Sequence, residues 1–409
     1  MTTWTPMRWP DTWKDPAALD LVKGSPIDYL LIAPGAELAA VRARAGQLGI
    51  QSGELDAAPD GAAILKGAWP GVQMARGRGS GADAGPTGVP WVDSNGWAIL
   101  LQAALDPGVA AWVNAPPPEK AFVTADSYLI AIADSASYGG RWIVTLDAPL
   151  AQGLAARSEA SLATWKKLAA AAQFFAAHRN WPEYTPMAVA GVVSDFAGDN
   201  EYFSRELLNL MGRAGLHYRV LLKDKISAAS FESLRAVSYT DETPPGADLR
   251  RQILAFVEAG GLLVAAPKWG GTEGTPVPGR QPAGYTLRAL GKGRIALAEA
   301  APVDPFSWAG DAALLVSHRY DLVRFWNGGA TGSLYTMAPG RKQALVHLLF
   351  YAGRGPDSAT VRVAGRYRAA RASTVDAPQV QNVAIRQLDD AVEVHLPPVS
   401  QYVALELDV

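Results

Sequence analysis

Three carboxylates stand out by residue type and position. Asp93 follows the apolar run VPWV, Asp147 follows RWIVTL, and Glu119 lies on the loop after VAAWVN. Two carboxyl groups facing one substrate can divide acid–base chemistry. One is protonated and donates to a leaving oxygen, and the other attacks or activates water; a spacing of about 5–5.5 Å gives retention and about 6.5–9.5 Å inversion at a glycosidic carbon. Asp93 and Asp147 form the expected pair, with Glu119 as a reserve acid. The competing reading is that both aspartates cap the helices or turns that follow them. Around them lie Asn95, Asn114 and the rings of Trp91, Trp97 and Trp112. Flat rings beside amides and acids suit a neutral or weakly acidic carbohydrate, whose C–H faces stack while its hydroxyls bond. Strand tryptophans are also the ordinary material of a core.

Other clusters carry weaker signals. In SDFAGDNE, the residues Asp195, Asp199, Asn200 and Glu201 fall at a strand-to-helix turn, where acids favour the positive end of the helix dipole. Asp199 and Glu201 are expected to wall the same pocket if this loop reaches the strand ends. The segment from His318 to Asn327 gathers His318, Arg319, Tyr320, Asp321, Arg324 and Trp326, and reads either as a polar lock between domains or as a substrate contact. No calcium-loop pattern, G-x-S-x-G elbow or His-Glu-x-x-His spacing occurs, and GRGSG at Gly77 to Gly81 lacks the Gly-Lys-Ser/Thr ending of a phosphate loop. No metal and no cofactor is expected.

These residues need elements to position them. Strand-like and helical stretches alternate from Asp28 to Arg179, including a helix that Thr124 can cap and a long helix from Ser158. Repeated βα units predict a (β/α) barrel-like unit over residues 1–185, with catalytic groups at the strand ends. Its Trp-rich start, Met1 to Lys23, reads as a lead-in packed on that unit, and Arg78 to Gly88 as a loop. Residues 186–355 continue as βαβαβαβ and predict a doubly wound parallel sheet. Here MAVAGVVSDF is a buried strand, NEYFSRELLNLMGRAGL a helix closed by Gly215, and DLRRQILAFVEAGG a second helix. A helix is expected over Arg341 to Tyr351. Residues 356–409 alternate in short runs and predict a small antiparallel β-sandwich.

The 409 residues are 49% hydrophobic, with a formal net charge of −2 and no cysteine. Several cores can be filled, and disulfides, thiolate metal sites and a cysteine nucleophile are excluded. A near-neutral charge gives no basic face for nucleic acid or an anionic membrane surface. No apolar run reaches about 20 residues, so no membrane span is expected. The start MTTWTPMRWP is not a signal peptide. A cytoplasmic location is expected, or a periplasmic or secreted one if a leader preceded these residues.

In the order barrel, doubly wound domain, β domain, the chain resembles the family 42 β-galactosidases and related glycoside-hydrolase-like proteins. The resemblance rests on DLRRQILAFVEAGGLLVAAPKWG (Asp248 to Gly270), GKGRIALAE (Gly291 to Glu299) and the ending LPPVSQYVALEL (Leu396 to Leu407). It implies a glutamine-amidotransferase-like middle domain used for association into homo-oligomers, without glutaminase chemistry because cysteine is absent. The family's acid stands in an Asn-Glu pair on the barrel. Here the only such pair is Asn200-Glu201, in the middle region, so no family catalytic residue is carried over. Two functions follow as expectations: a glycoside hydrolase using two carboxylates, or a carbohydrate-binding or assembly protein that keeps the architecture without the chemistry.

Overall fold

The computed structural model describes residues 4–75, 82–86, 92–117, 121–302, 304–327, 329–352, 358–376, 378–396 and 398–409. Its α-helices are α1 (Ala39–Gln47), α2 (Gly96–Leu105), α3 (Ala125–Ser137), α4 (Ala148–Ala155), α5 (Glu159–Ala177), α6 (Glu201–Arg213), α7 (Ala247–Glu258) and α8 (Pro305–Val316). None of the described helices is long and apolar enough to cross a membrane.

The first half is built on parallel strands. Gln51–Glu54, Tyr29–Ile32, Pro6–Arg8 and Val144–Thr145 pair in that order, and Arg141–Trp142, Ala110–Asn114 and Ala62–Lys66 carry the pairing on. Ile143 stands between the two short pieces and donates its N–H to the Val113 carbonyl at 2.9 Å. Among the described residues the outer edges, Gln51–Glu54 and Ala62–Lys66, do not pair, so the described strands do not close into the expected barrel. Too few βα units are present to turn the sheet through a full circle.

Two further expectations change here. The Trp-rich start is no mere lead-in, because Pro6–Arg8 is an inner strand of the sheet. Trp9 is fully buried and meets Trp13 edge to face at 5.2 Å. Within Arg78 to Gly88, Ala82–Pro86 is a strand between Val72–Ala75 and Ala121–Val123, while Gly77 to Gly81 lies outside the described residues.

Helix α3 lies at the centre of this half. Thr124 caps it, its Oγ1 accepting the Ser127 N–H at 3.3 Å. Tyr128 to Ser135 are all buried, Asp134 and Ser135 among them. It packs on α5 and on the strand Gln343–Phe350.

The middle region follows the sequence closely. Tyr218–Leu222, Ala190–Ser194, Ala236–Tyr239, Leu262–Ala265 and Gly293–Ala298 run parallel in that order, and Tyr285–Leu290 and Thr275–Pro276 add an antiparallel edge. Gly215 ends the α6 turn at φ 73°, the left-handed position that glycine takes without strain.

The antiparallel region begins well before residue 356. One sheet holds Thr185–Pro186, Thr331–Met337, Gln343–Phe350, Tyr402–Asp408, Ala369–Thr374 and Gln381–Val383. The other holds Val323–Phe325, Ala359–Ala364, Ala391–Leu396 and Ile385–Gln387. Val346, Leu348 and Leu405 of the first meet Val361, Val363 and Val394 of the second, so the two sheets form a sandwich.

The helix expected over Arg341 to Tyr351 is the strand Gln343–Phe350, because both of its faces are covered. Leu345 and Leu349 point to the core of the first half, and Val346 and Leu348 to the sandwich. A run buried on both sides loses the alternation that marks a strand. Leu349 is fully buried, so Leu349→Ala should lower stability by about 2–5 kcal/mol, read as a shift of the urea midpoint; a loss under about 1 kcal/mol would contradict this packing.

Candidate functional site

The polar centre of the molecule is Asp134, a fully buried carboxylate inside α3. It accepts four hydrogen bonds: Ser94 Oγ at 3.0 Å, Asn95 N at 2.9 Å, Asn95 Nδ2 at 3.1 Å and Tyr351 Oη at 2.7 Å. Burial raises its carboxyl pKa, while these donors pull it back. Asn95 also bonds Ala68 in both directions, accepting its N–H and donating to its carbonyl, each at 2.9 Å. The loop that starts α2 is thereby fixed against α3, the end of the strand Ala62–Lys66 and the sandwich.

Above this network a cavity of about 180 Å³ opens where the three regions meet. Trp97, Tyr138, Tyr218 and Phe325 supply aromatic walls, and Ser94, Asn209, His217 and Ser333 supply polar groups. His217 Nε2 lies 3.3 Å from Ser333 Oγ. Burial pushes the imidazole down to about 4, with the Gly215 carbonyl opposing the shift, so the ring is neutral at physiological pH. The Asn209 amide donates to Asp93 and Glu206 at 3.4 Å, while its buried Oδ1 accepts from nothing among the described residues. An unpaired buried polar atom costs about 1–3 kcal/mol. Polar groups set among rings in the wall of one cavity suit a ligand with hydroxyl groups, which both donate and accept.

Among the described residues, neither Asp93 nor Asp147 lines this cavity. The Asp93 side chain is 58% exposed, pairs with Arg213 of α6 and receives the Asn209 amide. Arg213 Nε also bonds the Val92 carbonyl, so the pair fastens the start of α2 to α6. Val92 to Asn95 is irregular backbone and not the expected strand.

Asp147 is 2% exposed and caps α4. It accepts the Leu150 N–H at 2.9 Å and the Tyr128 hydroxyl at 3.0 Å, and burial raises its carboxyl pKa. Among the described residues, Asp93 and Asp147 share no bonding partner. Glu119 and Trp91 lie outside the described residues.

The remaining expected contacts divide. Trp112 is fully buried against Tyr29, ring centroids 5.0 Å apart, so its place is core and not a ligand wall. Its indole belongs to the small cluster with Leu31 and Ile143. Asn95 is buried in the Asp134 network, and Asn114 is half-buried at the end of its strand. Trp97, Asp199 and Glu201 come together, lining an open groove of about 530 Å³ with Tyr202 and Arg205. Glu201 pairs there with Arg205 at 2.8 Å.

Asn200 turns inward, while Asp195 stays exposed beside it. Asn200 bonds Asp241, which Ser194 Oγ meets at 2.8 Å and Lys223 neutralises, and Lys223 lies 3.7 Å from Asp195. The His318 to Asn327 cluster is bonded within its own surroundings. Asp321 holds His318 at 3.1 Å and Arg324 at 3.4 Å, and Asn327 Oδ1 accepts the Thr360 N–H at 2.7 Å.

No protein-family model matches the chain, and no curated protein matches its sequence. Solved structures do. An α-L-fucosidase isoenzyme 2 from Paenibacillus thiaminolyticus is similar over 96% of this chain and 79% of its own, at 9% identity and TM-score 0.50. A GH42 β-galactosidase from G. stearothermophilus is similar over 76% of this chain and 56% of its own, at 11% identity and TM-score 0.49. A β-galactosidase from Rahnella sp. R3 is similar over 77% and 57%, at 12% identity and TM-score 0.48. The structures it resembles are GH42 β-galactosidases and other glycoside hydrolases. The chain spans little more than half the length of those β-galactosidases, and likeness at such identity speaks of the fold alone.

The neutral histidine has a consequence for stability. Unfolded His217 titrates near the ordinary 6.5 and folded His217 near 4. The unfolded chain therefore takes up the proton first, and the contribution present above pH 6.5 is lost as pH falls. Between about pH 6.5 and 5, urea stability of the unsubstituted protein should fall more steeply than that of His217→Asn, by up to about 1.4 kcal/mol per unit. Parallel curves would show that the buried ring does not titrate as described.

Proposed function

We propose that this chain is a carbohydrate-binding protein on a glycoside-hydrolase-like scaffold, taking a neutral sugar ring into the cavity between α2, α6 and the sandwich. The observation that supports the reading most is a cavity that sets Ser94, Asn209, His217 and Ser333 among the rings of Trp97, Tyr138, Tyr218 and Phe325. Apolar walls with a few convergent polar groups are the common form of a small-molecule site, and sugar hydroxyls suit such groups. A sugar acid would bring its charge toward Asp93 and the buried Asp134, while Arg213 is already engaged with Asp93. The α-L-fucosidase with a similar fold is named for a sugar substrate, and the proposal carries that substrate class over.

The test is titration calorimetry with galactose, fucose and rhamnose. At least one should bind saturably, and Asn209→Ala and His217→Ala should each weaken it about 5- to 10-fold, the loss of one hydrogen bond. Failure of all three sugars to bind overturns the reading.

One observation favours hydrolysis as a second reading. Asp147, buried at the end of the Val144–Thr145 strand with its carboxyl pKa raised by that burial, has the protonation that a general acid needs. On that reading the protein turns over p-nitrophenyl glycosides and Asp147→Asn lowers the rate by about 100-fold or more. Absent turnover, or a rate unchanged in the variant, removes it.

A further inference from the structure

We infer that the ligand is a sugar chain and not a single sugar, with its terminal unit in the cavity and the next units lying along the groove on the far side of Trp97. This rests on the proposed carbohydrate site and extends it. The cavity and the groove are both lined by Trp97 and by successive turns of α6. Tyr202, Arg205, Glu206, Asn209 and Arg213 recur along that helix at spacings of three and four, which places them in one stripe on its surface. The stripe begins in the groove at Tyr202 and ends in the cavity at Asn209 and Arg213. At about 1.5 Å of rise per residue, Tyr202 and Asn209 are roughly 10 Å apart along the axis, longer than one sugar ring.

The groove has the chemistry of a sugar-chain surface. Tyr202 is 76% exposed, one of the most exposed large rings in the protein. Asp199 is exposed and carries no ion pair among the described residues. Glu206 accepts from Asn209 at 3.4 Å, so a polar contact leads from the groove wall to the cavity wall. An open platform with rings and acceptors, leading to a cavity that sets polar groups among rings, fits a chain end whose last ring enters the cavity while the preceding rings stack.

The probes are galactose and a linear galactotetraose, compared by titration calorimetry on the full chain. The tetraose should bind about 10-fold more tightly than galactose, and Tyr202→Ala should bring it down to the affinity of galactose. A circular dichroism spectrum unchanged from the parent shows that this surface variant is folded. Equal affinity for the two ligands overturns the extended site while leaving the sugar cavity standing. So does a folded Tyr202→Ala protein that keeps the advantage of the tetraose. Binding of neither ligand overturns the galactose-chain assignment and, if fucose and rhamnose fail as well, the carbohydrate reading beneath it.

Discussion

A carboxylate inside a protein is costly unless donors surround it, and Asp134 obtains its donors from outside its own helix. Ser94 and Asn95 come from the loop before α2, and Tyr351 from the end of a sandwich strand. The arrangement works in both directions. The acid is tolerable only when the loop and the sandwich are docked, and the docking is directional because the charge accepts in fixed directions. Trp97 stands two residues beyond Asn95, so its position between the cavity and the groove is inherited from this network. Tyr351 lines the same cavity.

Much of the scaffold was legible because its signals are local. Thr124 before an apolar run, Ser158 before a long helix and Gly215 after one mark helix ends through bonds that a few residues make among themselves. The alternation of the middle region leads to a parallel sheet for the same reason. What was lost depends on distant partners. The strand Gln343–Phe350 is apolar on both faces because two different cores cover it, and no pattern within eight residues says so. An open sheet and a closed barrel share the same βα alternation; they differ in whether the outer strands meet, which is a property of the whole half.

The site was legible only at its edges. Trp97, Asp199 and Glu201 were singled out by residue type, and the fold brings them into one groove. Trp112 carried the same indole signal but points into the core, since alternation along a strand sets the face and only the sheet defines which face is inside. Asp147 shows the ambiguity of an acid at a strand end: capping α4 uses the oxygens that chemistry would need. Asn209 and His217 were invisible as site residues because an amide in an amphipathic helix and a histidine beside a strand are commonplace. Asp134 did leave a trace, a lone acid within the apolar stretch of α3.

The placement of Pro6–Arg8 bears on how the chain reaches this state. That strand is flanked by Tyr29–Ile32 and by Val144–Thr145, and the core beneath it also contains Leu345, Leu349, Tyr402 and Ala404. During synthesis the first half can form its helices, but its inner strand lacks a neighbour until residue 145 has emerged, and its core stays open until residue 404 has done so. Such long-range closure slows folding, because the entropy of the loop is lost before the contact is gained. Trp9 belongs to that core, so the surroundings that finally enclose it are complete only after the last strands have been made.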